Sequence, residues 1–195
     1  MKAILALFLL VSGLPAAPAG ASIPPAATKF LNLFRQLRAA EAMPAAARPR
    51  VAFAVSATEI NEYMKYSLGV TPRPGLDSVT VKVFPANYIS TFTVLDFDAV
   101  ERWKPGTIPL LLKPFLHGKK TIWVDFRFQT ASFRATLSVE KAYYNDIRLP
   151  AFFVQKAIEI VAARQPEHYD TSKPVPLPFG LRQLWTENQV VKGGN

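Results

Sequence analysis

Val79 to Phe97 reads VTVKVFPANYISTFTVLDF, and this stretch decides the fold class. Val79, Val81 and Val83 alternate with Thr80 and Lys82, the period of two that turns one row of side chains toward a core and the other toward water. Pro85-Ala86-Asn87 interrupts the run with turn residues, and Tyr88 to Phe97 returns as the partner strand. Two strands joined by so short a loop are antiparallel. The return strand is apolar on both parities, Phe92 and Val94 on one and Ile89, Leu95 and Phe97 on the other. It is therefore expected to be covered on both faces.

A second hairpin follows from the same logic. Ile122, Val124, Phe126 and Phe128 point one way and Asp125 and Arg127 the other. Its return strand is expected to turn Phe133, Ala135, Leu137 and Val139 inward, with Arg134, Thr136 and Ser138 outward. Upstream, residues 22–27 (SIPPAA) read as a poorly ordered lead-in. From Thr28 the chain places Phe30, Leu33, Phe34 and Leu37 at helical spacing, and Pro44 closes that helix. Val51 to Val55 alternates as a strand. Ser56-Ala-Thr-Glu59 has the capping-box pattern, so a helix with Ile60, Tyr63, Met64 and Leu68 starts there and stops at Gly69. Residues 104–120 predict a short helix from Pro109, bent at Pro114. Pro150 opens a longer helix with a broad apolar stripe from Phe153 to Val161, and a final strand runs from Leu184 through Val191. Hairpins mixed with amphipathic helices make the class α+β, a single domain over 51–195 preceded by the 22–50 lead-in and helix.

The start of the chain bears on location. Lys2, the apolar run from Ala3 to Leu14 and the small residues Ala19-Gly20-Ala21 form a secretory signal peptide cut near Ala21. The apolar run is shorter than the ~20 residues that span a bilayer. The expectation is an exported protein, periplasmic or secreted. It contains no cysteine, so disulfides and thiolate metal sites are excluded. Lys and Arg number 23 against 14 Asp and Glu, a net charge of +9. These cations are scattered rather than drawn into a stripe, which argues against nucleic acid and suits a polyanionic surface such as phospholipid head groups.

Catalytic signatures are missing from the sequence. Neither His117 nor His168 has a second metal ligand at helical or hairpin spacing, and no G-x-S-x-G elbow, phosphate loop or H-E-x-x-H occurs. No cofactor, metal or catalytic residue is assigned. Asp96 and Asp98, two apart, either share acid/base work or cap the following helix, and capping is the common role of such acids. His117 beside Lys119 and Lys120 either contacts a phosphate or sits in a solvated turn.

More telling is the amount of apolar side chain, with 14 Phe, six Tyr and three Trp. Either a closed core absorbs it, or sheet and helices leave a slot lined by apolar groups. On the second reading Phe92, Val94, Ile122, Val124, Phe126, Phe133 and Leu137 are walls, and Leu111, Phe115 and Leu116 form a gate or membrane-touching edge.

Four motifs in order, Ser56 to Tyr63 (SATEINEY), Asp96-Phe-Asp98, Ile147-Arg-Leu-Pro150 and Leu177-Pro-Phe-Gly-Leu181, resemble those of exported bacterial envelope proteins. Those proteins look like half of the tubular lipid-binding (TULIP-like) fold. The resemblance covers roughly residues 51–192. It implies a long helix lying in a strongly curved antiparallel sheet, with a lipid or other amphiphile in the groove and a role in envelope lipid transport or maintenance. The ligand's head group would be anionic, with peripheral membrane contact. Two other readings stand beside it: a hydrolase of an envelope lipid phosphate using Asp96, Asp98 or His117, and a protein-interaction module docking through 104–120 or 166–178.

Overall fold

The computed structural model describes residues 23–44, 47–106, 108, 110, 113–150, 152, 154 and 173–195. The elements run α1 (Pro25–Glu41), β1 (Ala52–Ser56), α2 (Ala57–Val70), β2 (Leu76–Phe84), β3 (Tyr88–Asp96), α3 (Phe97–Trp103), β4 (Lys119–Ala131), β5 (Arg134–Tyr144), β6 (Ile147–Arg148), β7 (Val175–Pro176), β8 (Gln183–Glu187) and β9 (Val190–Gly194). The class is α+β, and every strand pairing is antiparallel.

The large sheet has the order β2-β3-β4-β5-β6, with β7 also pairing β5, and it stays open. Its register sorts the side chains into two rows. Val81 lies opposite Thr91 and Val83 opposite Ile89, Ile89 opposite Phe126, and Phe128 opposite Leu137. These belong to the inner face, where Val81, Val83, Ile89, Phe126 and Phe128 are buried.

Two helices close that face. α1 begins at Pro25, inside the stretch expected to be a loose lead-in, because proline's fixed φ suits the first helical position and its missing N–H is not needed there. Its stripe of Ala27, Phe30, Leu31, Phe34, Leu37 and Ala40 is buried. Phe30 packs edge-on to Phe34 and tilted on Tyr63 of α2, each at 4.8 Å between ring centres. α1 thus shares one core with the residues after 51. The box at the start of α2 is complete: Ser56 Oγ accepts from the Glu59 amide (3.2 Å) and Glu59 Oε2 from the Ser56 amide (2.8 Å). Glu59 also pairs with Lys29 of α1 at 2.6 Å. The helix ends at Val70, one residue past Gly69, and leaves Leu68 half-buried.

A second sheet, β1-β9-β8, was not expected from the sequence. The single strand predicted at 184–191 is a hairpin whose two-residue turn, Asn188-Gln189, puts Gln189 at φ 60°. This hairpin is sewn to the large sheet. The Gln189 amide donates to Val83 O (3.1 Å), Thr186 Oγ1 to Phe84 O (2.6 Å), and the Thr186 amide to Asn87 Oδ1 (2.9 Å). Among Phe30, Phe34, Leu37, Phe53, Phe128 and Leu184, between helices and sheets, a cavity of about 30 Å³ remains, the share of one water. No acyl chain fits there.

The long helix expected from Pro150 lies almost wholly outside the described residues. Of it, Phe152 and Val154 are helical, and the Val154 amide donates to Pro150 O. A sheet wrapped around that helix is thus not part of the described structure. In 104–120, Leu111 lies outside the described residues, Lys113 to Phe115 form a turn and Gly118 takes φ +62°.

The open edge of β2 is managed by a side chain. Asn61 of α2 donates to Val81 O (2.9 Å) and accepts from the Val81 amide (2.7 Å), so its carboxamide replaces a neighbouring strand for one residue. Asn61→Ala leaves both backbone groups without that partner. The expected loss is about 2 kcal/mol of unfolding free energy, measured as a lowered urea midpoint at constant slope. An unchanged midpoint would show that solvent serves the edge equally well.

Candidate functional site

Of the ten side chains singled out as cavity walls or gate, Leu111 lies outside the described residues and the other nine do not meet at one place. Phe126 is core, 1% exposed, and Ile122, Val124 and Leu137 lie half-buried along the same inner face. Phe92 and Val94 belong to the opposite face, because Phe92 stands across from Trp123 and Val94 across from Thr121. The strand expected to be covered on both sides therefore leaves Phe92 43% exposed. Phe133 is not a strand residue. With Ser132 it makes the two-residue turn between β4 and β5, both at positive φ, and its ring lies under the Arg182 guanidinium at 5.4 Å. Phe115 and Leu116 sit in the loop before β4, Phe115 being exposed.

That loop has an anchor. Glu101 of α3 pairs with Lys113 at 2.8 Å and accepts from the Gly106 and Ile108 amides at 3.0 and 3.1 Å. These three donors hold its carboxyl down at about 2. Asp96 is the N-cap of α3, its Oδ1 accepting from the Ala99 amide at 3.0 Å, which is the capping role. Asp98 occupies the first turn. Among the described residues no group of three or more His, Asp or Glu is placed to hold a metal ion, and no helix is long and apolar enough to cross a membrane.

What the structure does assemble is a cleft of about 620 Å³ beside β5, lined by Val139, Glu140, Lys141, Ala142, Arg148, Leu149, Pro150, Phe152 and Val154. Its size is within the range of small-molecule sites. A β-bulge builds its floor. Phe126 pairs with Val139 but Asp125 with Lys141, so Glu140 is an extra residue on β5. Val139 and Ala142, three apart, consequently share the inner face, while Lys141 turns to the outer face. The neighbouring strands are short. β6 pairs only Tyr143 and Tyr144, and β7 only Arg134 and Ala135. Between them, on the edge away from β4, β5 has no paired strand along residues 136–141 among the described residues. Sequence alone could not give this site, since a bulge has no signature in VEKA and none of the predicted walls lines the cleft.

The outer face carries a second group. Phe92, Trp123, Tyr143 and Arg148 lie side by side across β3, β4, β5 and β6. The Trp123 indole N–H donates to Ser90 Oγ (2.6 Å) and Asp125 Oδ1 (2.7 Å), and Asp125 is only 4% exposed beneath it. Set against protein families, characterised proteins and solved structures, the chain has no match. Geometry and chemistry alone therefore carry the functional reading.

Tyr88 completes the outer cluster. Burial, then its hydrogen bond to Asp125 and the negative charges of Asp125 and Glu140, push its phenol up to about 12 from 10.0, against the opposing pull of Arg127. The guanidinium of Arg127 lies 5.6 Å from the Tyr88 ring centre and bonds Glu140 Oε1 at 2.9 Å. In that pH interval the folded chain retains a proton that the unfolded chain releases. The stability involved is complete below pH 10 and is lost as pH rises through 12. Tyr88→Phe is expected to flatten this alkaline decline in unfolding free energy, and a decline as steep as the parent's would remove Tyr88 from the account.

Proposed function

We propose that this chain is an exported lipid- or amphiphile-binding protein, holding its ligand in the cleft beside β5 with an anionic head group at the mouth. The cleft carries the reading. Its volume of about 620 Å³, its apolar floor of Val139, Ala142, Leu149, Pro150, Phe152 and Val154, and the cations Lys141 and Arg148 beside that floor match a hydrocarbon tail with an acidic end. Burial of the tail supplies about 0.8 kcal/mol per CH₂, and the two cations add modest preference for acidic heads. A sheet cradling the helix of residues 151–165, as in the TULIP-like resemblance, would extend the same apolar floor.

Export follows from the leader, and an envelope role in lipid transport or maintenance follows from export together with the ligand class. Membrane contact is assigned to the loop after α3, where Trp103, Leu110 and Phe115 are exposed next to Lys104 and Lys113. Asp96 is engaged as a helix cap, which leaves the lipid-phosphate hydrolase without its principal carboxylate.

Organic extraction of the purified protein followed by mass spectrometry is expected to recover a lipid, and a fluorescent fatty acid is expected to bind the emptied protein. Val139→Asp, which puts a charge on the apolar floor, and Ala142→Trp, which fills it, should each weaken uptake by about tenfold or more. Recovering no lipid and observing no uptake would end this reading. Uptake indifferent to both substitutions would move the ligand elsewhere.

A further inference from the structure

We propose a second binding site, adjoining the cleft: the outer face of the large sheet holds an acidic saccharide stacked on Phe92, Trp123 and Tyr143. The three rings occupy directly opposed positions on β3, β4 and β5, so they form one row across adjacent strands. At ~4.8 Å between strands the row extends about 10 Å, the length of a disaccharide. Phe92 and Trp123 are each 43% exposed and Tyr143 is half-buried beside them, while Phe84 and Tyr88 carry the same face on toward the β2–β3 turn. An exposed apolar row on a polar face marks a contact surface rather than a core.

The row is rigid. Trp123 and Tyr143 lie 5.3 Å apart between ring centres with planes 31° from parallel. The indole N–H is pinned inward by Ser90 and by Asp125, which is nine-tenths buried and more. A ring held this way keeps its only polar group engaged within the protein and offers apolar carbon to a ligand. That geometry suits the C–H face of a pyranose, which stacks on an aromatic face without needing a donor from it. A bilayer is favoured less, because interfacial tryptophans direct the N–H toward the wet head groups, and here it is taken up by Ser90 and Asp125.

Charge selects the class of saccharide. Lys82 lies opposite Ser90 on β2, Lys141 opposite Asp125 on β5, and Arg148 opposite Tyr143 on β6, all three exposed and on this face. The nearby carboxylates are otherwise occupied: Asp125 lies under the indole, and Glu140 bonds Arg127. Arg148 therefore stands at the β6 end of the ring row, and Lys82 and Lys141 flank the neighbouring Ser90–Asp125 positions on the same face. A single-stranded nucleic acid is favoured less, since scattered cations do not make the continuous basic track that its phosphates follow.

The test is calorimetric titration of the full chain with hexagalacturonate, with neutral cellohexaose as the comparison. Hexagalacturonate is expected to bind, more weakly as salt is raised, and cellohexaose at least about fivefold more weakly than it. Trp123→Ala should lower affinity by about tenfold or more, and Phe92→Ser, at a half-exposed position that keeps the test available if the first variant unfolds, by about fivefold. Ala142→Trp, which fills the cleft without adding charge, should leave it unchanged, which separates this site from the amphiphile site. The proposal is overturned if neither saccharide binds, or if binding survives the loss of both rings in folded protein. Equal affinity for the two saccharides would overturn the acidic specificity. So would uptake of anionic phospholipid vesicles or an oligonucleotide through the same residues while both saccharides are refused.

Discussion

Burial of one parity of the β2–β5 side chains under Phe30, Phe34 and Tyr63 is the constraint from which the remaining features follow. A strand's side chains alternate with a period of two and have no other choice, so committing Val81, Ile89, Phe126 and Phe128 to the helices commits their neighbours to the other side. A slip of one residue would exchange Phe126 for the Asp125 carboxylate in the core. The register is therefore held by the difference between burying an aromatic ring and burying a charge, several kcal/mol in the favoured direction. Helix α2 adds a positional lock through Asn61, which engages one residue of the edge strand and no other. The β8–β9 hairpin adds another by bonding both ends of the β2–β3 turn.

That commitment explains why apolar surplus did not become a central cavity. The aromatic count was divided between two faces of one sheet rather than pooled in a groove. Phe126 and Phe128 went to a core packed down to a water-sized void, and Phe92 and Trp123 went to solvent. The space large enough for a ligand arose elsewhere, along the stretch of β5 that neither β6 nor β7 reaches. Open edges expose unpaired backbone groups. Here the edge lies beside a cleft whose wall is made by the turn of the chain at Leu149 and Pro150.

Local signals with one physical meaning were legible in the sequence. The alternation at Val79 to Val83 and Ile122 to Phe128, the helical stripe from Phe30 to Leu37 and the Ser56–Glu59 box each depend on residues within a turn or two of one another. Features that depend on pairing were not legible. The second sheet joins β1 to a hairpin more than a hundred residues later, and Asn188-Gln189 lacks the glycine that usually marks a two-residue turn. Phe133 kept strand parity on paper, yet Ser132 and Phe133 carry the positive φ values of the turn itself. The cleft was hidden because it rests on a bulge, which shifts parity without any change in composition. For the outer row a signal did exist: Trp123 and Asp125 share the parity of Arg127, and a tryptophan on a solvent-facing parity asks for a partner.

The bulge at Glu140 connects the two surfaces. Were residues 139–142 to alternate strictly, with no bulge to absorb Glu140, Val139 and Ala142 would point to opposite faces. The cleft would then lose half its apolar floor, and Lys141 would turn inward, away from Asp125 and the ring row. The bulge thus keeps an apolar wall on one side and a cation on the other. Arg148 reinforces the arrangement from β6, since pairing with Tyr143 fixes it on the outer face while its strand borders the cleft. Positive charge at the rim is consequently shared by the two sites, since Lys141 and Arg148 line the cleft and stand on the outer face.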